Sequence, residues 1–253
     1  MVLDLFKLDG RVAVVTGGGR GLGQAMAGAL AQAGADVVSV TRTAKSDETR
    51  LLVERCGRRF LDVRCDVGRP DHRADLIDQI TSQMGRVDIL INNAGIFQRH
   101  PPEEYPLNEF DALLQVHLHA AFDLSQQVAP QMLERGRGKI INIGSVLSFE
   151  GGLNIPAYAA AKHALAGLTK SLANSWSHRG INVNCIAPGY FDTKVVNSLK
   201  DDPVRGPQIL DRIPAGRWGD PDELGGLAVF LASDASNYVH GSVIAIDGGW
   251  LAR

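Results

Sequence analysis

The chain has 253 residues, of which 45% are hydrophobic and 21% are charged, and its formal net charge at pH 7 is -2. This length and composition predict a single globular domain, spanning 1–253, with a large apolar core. The near-neutral charge, the sequence pI near 6.4 and the lack of a Lys/Arg-rich tract argue against nucleic acid or an anionic membrane as partner.

The amino-terminal stretch and the cysteines restrict location and chemistry further. MVLDLFKLDGRVAVVTG lacks a basic segment followed by a long apolar one, and no apolar run reaches the roughly 20 residues that a membrane span needs. We therefore expect a soluble cytoplasmic protein. Cys56, Cys65 and Cys185 are too few and too scattered for a disulfide framework and match no zinc motif, so no metal is expected.

Seven short runs rich in Val, Ile and Ala alternate with longer stretches of helical periodicity. In chain order the runs are RVAVVTG, ADVVSVT, FLDVRCDV, VDILINNAG, KIINIGS, INVNCIAPG and SVIAIDGG. This alternation predicts an α/β fold with a doubly wound, seven-stranded parallel sheet and helices on both faces. Pro203, Pro207 and Pro214 interrupt the region from about 190 to 218, which we interpret as a lid-like insertion.

Ligands of such sheets bind at the carboxyl ends of the strands. The first strand runs into TGGGRGLG, residues 16–23, and then into a helix of small residues. Glycines let the backbone approach a pyrophosphate, whose charge the N–H groups and dipole of the helix start can bind. The spacing is GxxxGxG, at Gly17, Gly21 and Gly23, rather than GxGxxG. A tight turn would explain glycines alone, but their position after the first strand favours dinucleotide binding.

The second strand ends in Val40-Thr41-Arg42-Thr43, which contains no carboxylate. An acidic residue there usually binds the ribose of NAD, whereas a cation can bind the 2'-phosphate of NADP. Arg42 and Arg20 therefore favour NADP(H), while an Arg42 that is only a solvated loop residue would leave NAD(H) possible. Asp66, after the third strand, is placed to accept a hydrogen bond from the adenine amine.

A second set of residues can carry acid/base chemistry. Ser145 follows the fifth strand, and Tyr158 and Lys162 lie four residues apart on a predicted helix, so they share a face. A neighbouring ammonium, helped by a positive nicotinamide ring, would lower the tyrosine pKa from its usual value of about 10. Ser145 could hydrogen-bond a substrate oxygen as charge develops on it. YxxxK alone would also suit a surface pair, so its significance depends on the motifs around it.

These motifs together resemble the short-chain dehydrogenase/reductase family. TGGGRGLG, NNAG at 92–95, Ser145 thirteen residues before Tyr158, YAAAK, and NVNCIAPG at 182–189 follow in family order over essentially the whole chain. The resemblance implies a Rossmann-type subunit, often assembled as a homotetramer. It also implies hydride transfer between NAD(P)(H) and a carbonyl or secondary alcohol.

The resemblance further implies roles for individual residues. Tyr158 would be the general acid/base, Lys162 would lower its pKa and bind the nicotinamide ribose, and Ser145 would orient the substrate oxygen. The residues expected to line the cofactor, besides Tyr158 and Lys162, are Gly17, Gly19, Arg20, Gly21, Leu22, Arg42, Asp66, Val67, Asn93, Ala94, Gly95, Pro188, Gly189 and Thr193.

The second half resembles the branch of the family that acts on sugar acids, through SFEGGLNIPAYAAAK, DRIPAGRWGDPDEL and DGGWLAR. This implies a six-carbon substrate of the gluconate or ketogluconate type. Arg99, Ser148, Asn154 and Arg217 would suit such a polar anion, since a guanidinium binds a carboxylate in a bidentate manner. Arg99 and Arg217 could equally form structural ion pairs, and the branch would have arginine at position 154.

Two other functions stay open on this sequence. One is a reductase of another carbonyl, such as a 3-oxoacyl thioester, for which an apolar and open cleft is expected. The other is a cofactor-binding module without catalysis, against which the intact set of Ser145, Tyr158 and Lys162 argues.

QVHLHAAF, residues 115–122, lies within a helix predicted from Pro106 to Met132. His117 lies on its apolar face, whereas His119 is about 200 degrees round the helix, so the two cannot bind one metal together. We expect His119 at solvent or a subunit interface. The family usually has asparagine at position 117, where the main-chain carbonyl helps hold a water beside the lysine. His117 is then either a satisfied core histidine or a residue that tunes the proton path near Lys162.

Overall fold

The computed structural model describes residues 1–43, 46–193 and 196–253. A seven-stranded sheet lies at its centre, with the strand order β3-β2-β1-β4-β5-β6-β7 and every neighbouring pair parallel. The predicted doubly wound α/β fold is confirmed, with its switch point between β1 and β4. The strands are β1 Val12–Thr16, β2 Asp36–Thr41, β3 Phe60–Arg64, β4 Ile89–Asn92, β5 Gly138–Ile143, β6 Ile181–Pro188 and β7 Val243–Ile246.

Helices cover both faces of the sheet. They are α1 Gly21–Gln32, α2 Asp47–Arg55, α3 Pro70–Arg73, α4 Leu76–Met84, α5 Leu107–Leu114, α6 Ala120–Glu134, α7 Pro156–Trp176, α8 Asn197–Lys200, α9 Arg205–Arg212 and α10 Glu223–Ala232. No helix of the described residues is long and apolar enough to cross a membrane.

Two apolar clusters form the core, one on each face of the sheet. Val12 and Val14 of β1 pack with side chains from α4, α6 and α7, whereas Ala13 and Val15 pack with α1 and α10. Strands buried on both faces need apolar residues at consecutive positions, which explains why their sequences read as nearly continuous hydrophobic runs.

The helix predicted over 106–132 is interrupted. A π-helical segment, Gln115–His119, separates α5 from α6, so the prediction of one plain α-helix was wrong at this point. Such wide turns occur mostly as single insertions in α-helices and often at functional sites. His117 is buried and His119 is exposed, as predicted.

The region from 190 to 218 contains α8 and α9. Its two ends meet in a short parallel bridge between Phe191 and Gly219, where the Asp192 amide donates to the Gly219 carbonyl at 2.8 Å. Positions 194 and 195 of this insertion lie outside the described residues.

Candidate active site

The loops that carry the sequence motifs converge at the carboxyl edge of the sheet, because all seven strands run in the same direction. The glycine loop follows β1, NNAG follows β4, Ser145 follows β5 and Gly189 follows β6. This is the edge at which open parallel sheets bind their ligands.

Close backbone packing shapes the glycine loop. Gly17 has φ +69°, and a Cβ on it would lie 2.8 Å from Nδ2 of Asn93; a Cβ on Gly23 would lie 2.2 Å from the Gly17 carbonyl oxygen. The Thr16 hydroxyl accepts hydrogen bonds from the amides of Asn93 and Ala94, both at 2.9 Å. The loop is therefore fixed to the end of β4, with its backbone open to a ligand at the start of α1.

Gly21 and Gly19 of the loop lie against two further residues. Gly21 has φ +55°, and a Cβ on it would lie 3.9 Å from Cγ2 of Thr193, which places that threonine beside the start of α1. A Cβ on Gly19 would lie 3.0 Å from Oγ of Ser46. Arg20, which precedes α1, is exposed, and Leu22 is half-buried.

The end of β2 exposes cationic side chains. Arg42 is exposed, and the exposed Arg64 at the end of β3 donates from Nε to the Arg42 carbonyl at 3.3 Å. Below them, the buried Ser46 donates from Oγ to Asp62 at 2.9 Å. Arg64, Ser46 and Asp62 were missed from the sequence because they belong to no motif. The sheet register brings Asp62 and Arg64 beside β2, and Ser46 bonds Asp62 from the start of α2.

Asp66 and Val67 follow β3 at this edge of the sheet. Asp66 is half-buried, and its Oδ1 accepts from the amide of Gly68 at 3.0 Å. Val67 is buried, and its carbonyl accepts from Arg73 at 2.8 Å. The structure thus holds both in a tight turn after β3.

Ser145 lies beside Tyr158. The Ser145 side chain caps the 3-10 turn Val146–Ser148, accepting from the Leu147 amide at 3.2 Å, and its hydroxyl is close enough to the Tyr158 phenol to lower the pKa of that phenol. Tyr158 lies in the first turn of α7, which begins at Pro156. The cap fixes the serine hydroxyl at the phenol.

Lys162 is buried below the tyrosine ring. Its Nζ lies 5.3 Å from the ring centroid and donates to the Ile143 carbonyl at 2.6 Å. Desolvation lowers the pKa of Lys162 to about 8, and the buried Cys185 thiol beside it opposes that shift. No role was assigned to Cys185 from the sequence, and only the fold brings it close enough to Lys162 to affect the lysine pKa.

The Tyr158 pKa differs from the expectation. Burial raises it to about 12, and the hydrogen bond from Ser145 offsets only part of the rise. Lys162 does not offset this rise, since its ammonium is bound to the Ile143 carbonyl and faces the ring rather than the hydroxyl. The residues of the chain alone therefore keep the phenol protonated at neutral pH.

His117 packs between the NNAG loop and Tyr158. Its Nε2 lies 2.8 Å from the Ile96 carbonyl oxygen and 3.2 Å from the Ile96 amide nitrogen. A Cβ on Gly95 would lie 2.6 Å from Cε1 of the ring. Burial lowers the pKa of His117 to about 3, and the charge on Lys162 lowers it further. The imidazole is neutral and holds the loop after β4.

Pro188 and Gly189 close the carboxyl end of β6. Pro188 pairs with Ile246 of β7, and the Gly189 amide donates to the Ile246 carbonyl at 2.9 Å. A Cβ on Gly189 would lie 2.7 Å from Cα of Asp247. This close approach explains the glycine.

Two of the four residues suggested for the substrate lie in the loops after β4 and before α7. The half-buried Arg99 lies with its guanidinium 5.8 Å from the Phe97 ring, which packs against Tyr158 at 5.4 Å. The Arg99 Nε is buried and has no hydrogen-bond partner among the described residues. Asn154 has φ +62°, and its carbonyl accepts from the His100 amide at 3.0 Å.

The other two are engaged within the chain, contrary to expectation. Ser148 is buried, donating to the Lys162 carbonyl at 3.0 Å and accepting from the Ser145 amide at 3.3 Å. Arg217 binds both carboxylate oxygens of Glu223 at 2.7 Å. Ser148 supports the loop that carries Ser145, and Arg217 forms the structural ion pair that was its alternative.

Within the described residues, no three His, Cys, Asp or Glu side chains are grouped so as to hold a metal ion.

Comparison with known proteins agrees with this geometry. Residues 17–251 match a family model described as Enoyl-(Acyl carrier protein) reductase. The chain is 50% identical to the 2-dehydro-3-deoxy-D-gluconate 5-dehydrogenase of Bacillus subtilis, over 99% of this chain and 98% of that protein. It is 43% identical to the gluconate 5-dehydrogenase of Gluconobacter oxydans, over 97% and 96% of the two chains.

A solved structure extends the likeness to three dimensions. The crystal structure of a gluconate 5-dehydrogenase from Burkholderia cenocepacia, in complex with NADP and tartrate, superposes with a TM-score of 0.93 at 41% identity and covers 100% of both chains. Fold, motif order and full-length identity agree, and the chain belongs to the short-chain dehydrogenase/reductase family.

Proposed function

We propose that the protein is an NADP(H)-dependent oxidoreductase that interconverts a secondary hydroxyl and a ketone on a sugar acid of the gluconate type. The observation that carries this proposal is the contact of Ser145 with Tyr158 above the buried Lys162, at the same sheet edge as the glycine loop. A module that only binds the cofactor would not need Ser145, Tyr158 and Lys162 in this arrangement.

The residues present fit a dinucleotide. Side chains on Gly17 or Gly23 would meet the Asn93 amide or the loop backbone, so the loop keeps its N–H groups accessible to a pyrophosphate. The exposed Arg20 and Arg42 supply cations near the end of β2, which supports NADP(H) over NAD(H). The Burkholderia relative binds NADP. NAD(H) stays possible as a second cofactor.

When bound, the nicotinamide supplies or takes up the hydride. In ketone reduction, the protonated Tyr158 donates its proton to the carbonyl oxygen, while the Ser145 hydroxyl hydrogen-bonds the same oxygen. The Lys162 ammonium, next to the ring, stabilises the phenolate that results. Alcohol oxidation uses the same groups in reverse.

Arg99 and Asn154 are the proposed substrate contacts. The buried Arg99 Nε, which has no hydrogen-bond partner among the described residues, offers a donor toward a carboxylate. The Asn154 carbonyl accepts from the His100 amide, which joins the loop before α7 to the loop that carries Arg99. The names of the Bacillus and Gluconobacter relatives support a polyhydroxy acid.

A second candidate, reduction of a 3-oxoacyl thioester, is favoured by one observation. Phe149 and Leu153, in the loop between Ser145 and Tyr158, are 50% and 71% exposed, which suits an acyl chain. A steady-state screen of gluconate, 2-dehydro-3-deoxygluconate, 5-ketogluconate and 3-oxoacyl thioesters, each with both cofactors, separates the two. Turnover of thioesters but of no sugar acid would overturn the proposed substrate class.

We also propose a cytoplasmic homotetramer, as the family expectation suggests. Leu107 of α5 and Phe122 of α6 are 78% and 44% exposed on neighbouring helices, where a subunit contact would bury them. Light scattering coupled to size exclusion would measure the assembly. A monomer at micromolar concentration would contradict it.

A further inference from the structure

A second cleft lies at the edge of the sheet opposite the candidate active site. It has a volume of about 360 Å³ and lies across the amino ends of the adjacent strands β1, β4 and β5. Arg11 directly precedes β1, Arg86 lies three residues before β4, and Arg137 directly precedes β5. The parallel sheet therefore brings together three arginines that are up to 126 residues apart in the chain.

The cleft is electropositive. Five cations line it, since Lys7 and Arg135 join these three arginines, against the carboxylates of Asp9 and Asp88. The ion-pair partners of the lining residues add Asp4, Asp234 and Arg58, and the buried Lys139 lies behind them. The described residues in and around the cleft thus include seven cations and four carboxylates, on a chain whose net charge is -2.

The surroundings of Lys139 show the same excess of positive charge. Its ammonium donates only to neutral oxygens, those of Asn182, Ser236 and Asn237, at 3.0, 3.4 and 2.9 Å. Desolvation lowers the pKa of Lys139 to about 8; Asp234 opposes this shift, while Arg11 lowers the pKa further. The buried cation has no carboxylate partner within hydrogen-bonding distance among the described residues.

The arginines of the cleft are held in place yet keep free donors. Arg137 uses only Nη2 for both bonds to Asp234, at 2.7 and 2.8 Å. Arg86 donates from Nε to Asp88 and from Nη2 to the Gly10 carbonyl, both at 2.9 Å. Within the described residues this leaves Nε and Nη1 of Arg137 and Nη1 of Arg86 without a partner. Donors fixed in this way lose little freedom when they bind a ligand.

We propose that this cleft binds a small anion with at least two negative charges, a phosphate or a polycarboxylate. Both present oxygens that accept paired N–H bonds from guanidinium groups. The volume lies within the range of pockets for small organic ligands. The site is distinct from the dinucleotide site, because the two lie at opposite ends of the strands.

Calorimetric titration with inorganic pyrophosphate and with citrate tests the proposal and distinguishes phosphate from carboxylate. The protein is first saturated with NADP+ to occupy the glycine loop, and sodium chloride matches the ionic strength. Arg137→Gln and Lys7→Gln, separately and combined, remove cations whose side chains are 55% and 62% exposed, so the core is left intact. Arg55→Gln, an exposed position of α2 outside the cleft, is the matched control.

We expect the wild type and Arg55→Gln to bind at least one probe equally, and the double variant to bind it at least about tenfold more weakly, the loss expected for charge-assisted hydrogen bonds. Circular dichroism and turnover without anion should be unchanged in every variant. Equal affinity in the double variant, or no binding of either probe to the wild type, would overturn the proposal. Binding to the protein without NADP+ but not to the NADP+-saturated protein would place the anion in the dinucleotide site, and this too would overturn the proposal.

Discussion

The imidazole of His117 meets the ring of Tyr158 edge to face, with centroids 5.3 Å apart and planes at 87°. The π-helical segment carries this neutral side chain, which lies between the NNAG loop and the tyrosine. Its contacts with Ile96 fit the interpretation as a satisfied core histidine, and the same ring touches the proposed acid/base. This makes His117 a positioning residue for Tyr158.

Replacement of His117 should change acid stability more than catalysis. Burial lowers its pKa from 6.5 to about 3, so the unfolded chain binds an extra proton between these values. Stability is therefore lost as pH falls from 6.5 toward 3, by at most about 1.4 kcal/mol per pH unit. His117→Asn should flatten this part of the pH dependence of the unfolding free energy, measured in urea, while keeping substantial activity.

The exposed His119 gives the matched control. Below pH 6.5, the unfolding free energy of His119→Asn should fall with pH as steeply as that of the wild type. A His117→Asn protein that folds but is inactive would show that the imidazole itself is required.

Gly95 should tolerate a side chain only when His117 is smaller. A Cβ at Gly95 would lie 2.6 Å from Cε1 of the imidazole, which is closer than atoms can approach without a shift. Gly95→Ala alone should lower both thermal stability and turnover, and Gly95→Ala combined with His117→Ala should recover part of each. Additive losses in the double variant would contradict this packing.

Tyr158→Phe should abolish turnover while cofactor binding stays nearly intact. The substitution removes only the hydroxyl that bonds Ser145, and loss of a general acid costs about 10²- to 10⁴-fold in rate. Turnover measured with the best sugar acid, beside NADPH binding by fluorescence, tests this. Wild-type activity in the variant would refute the assigned role.

Reduction should slow as pH rises through about 8. Burial lowers the pKa of Lys162 to that value, so the ammonium that stabilises the developing phenolate is lost above it. Tyr158 stays protonated over the same range, because its pKa is raised to about 12. Lys162→Arg keeps the charge, so its residual activity should lack the alkaline fall. A flat wild-type profile from pH 7 to 10 would contradict the pKa of Lys162.

Arg42 should determine the preference for NADPH. Arg42→Gln is expected to raise KM for NADPH by about tenfold or more, because a charge-assisted hydrogen bond is lost, with little change for NADH. Arg64→Gln, which removes the donor to the Arg42 carbonyl, should have a smaller effect in the same direction. Equal changes in KM for NADPH and NADH would show that Arg42 does not bind the 2'-phosphate.

The seven strands were predictable because strands buried on both faces require continuous apolar residues, as in β1 and β4. The π-helical segment was not predictable from the sequence, since the apolar residues continue at helical spacing through 115–119 without a break. A change of backbone hydrogen bonding leaves the pattern of side chains almost unaltered.

The sequence alone determined the parallel α/β architecture, the family, and the candidates Ser145, Tyr158 and Lys162, since motif order and helical spacing are local properties. Tertiary structure decided which polar groups are free: Ser148 and Arg217 are engaged by Lys162 and Glu223. It also decided that the Tyr158 phenol stays protonated, and it assembled the basic cleft. Hydrogen-bond partners, desolvation and summed charge depend on groups far apart in the chain, and only the packed fold brings those groups together.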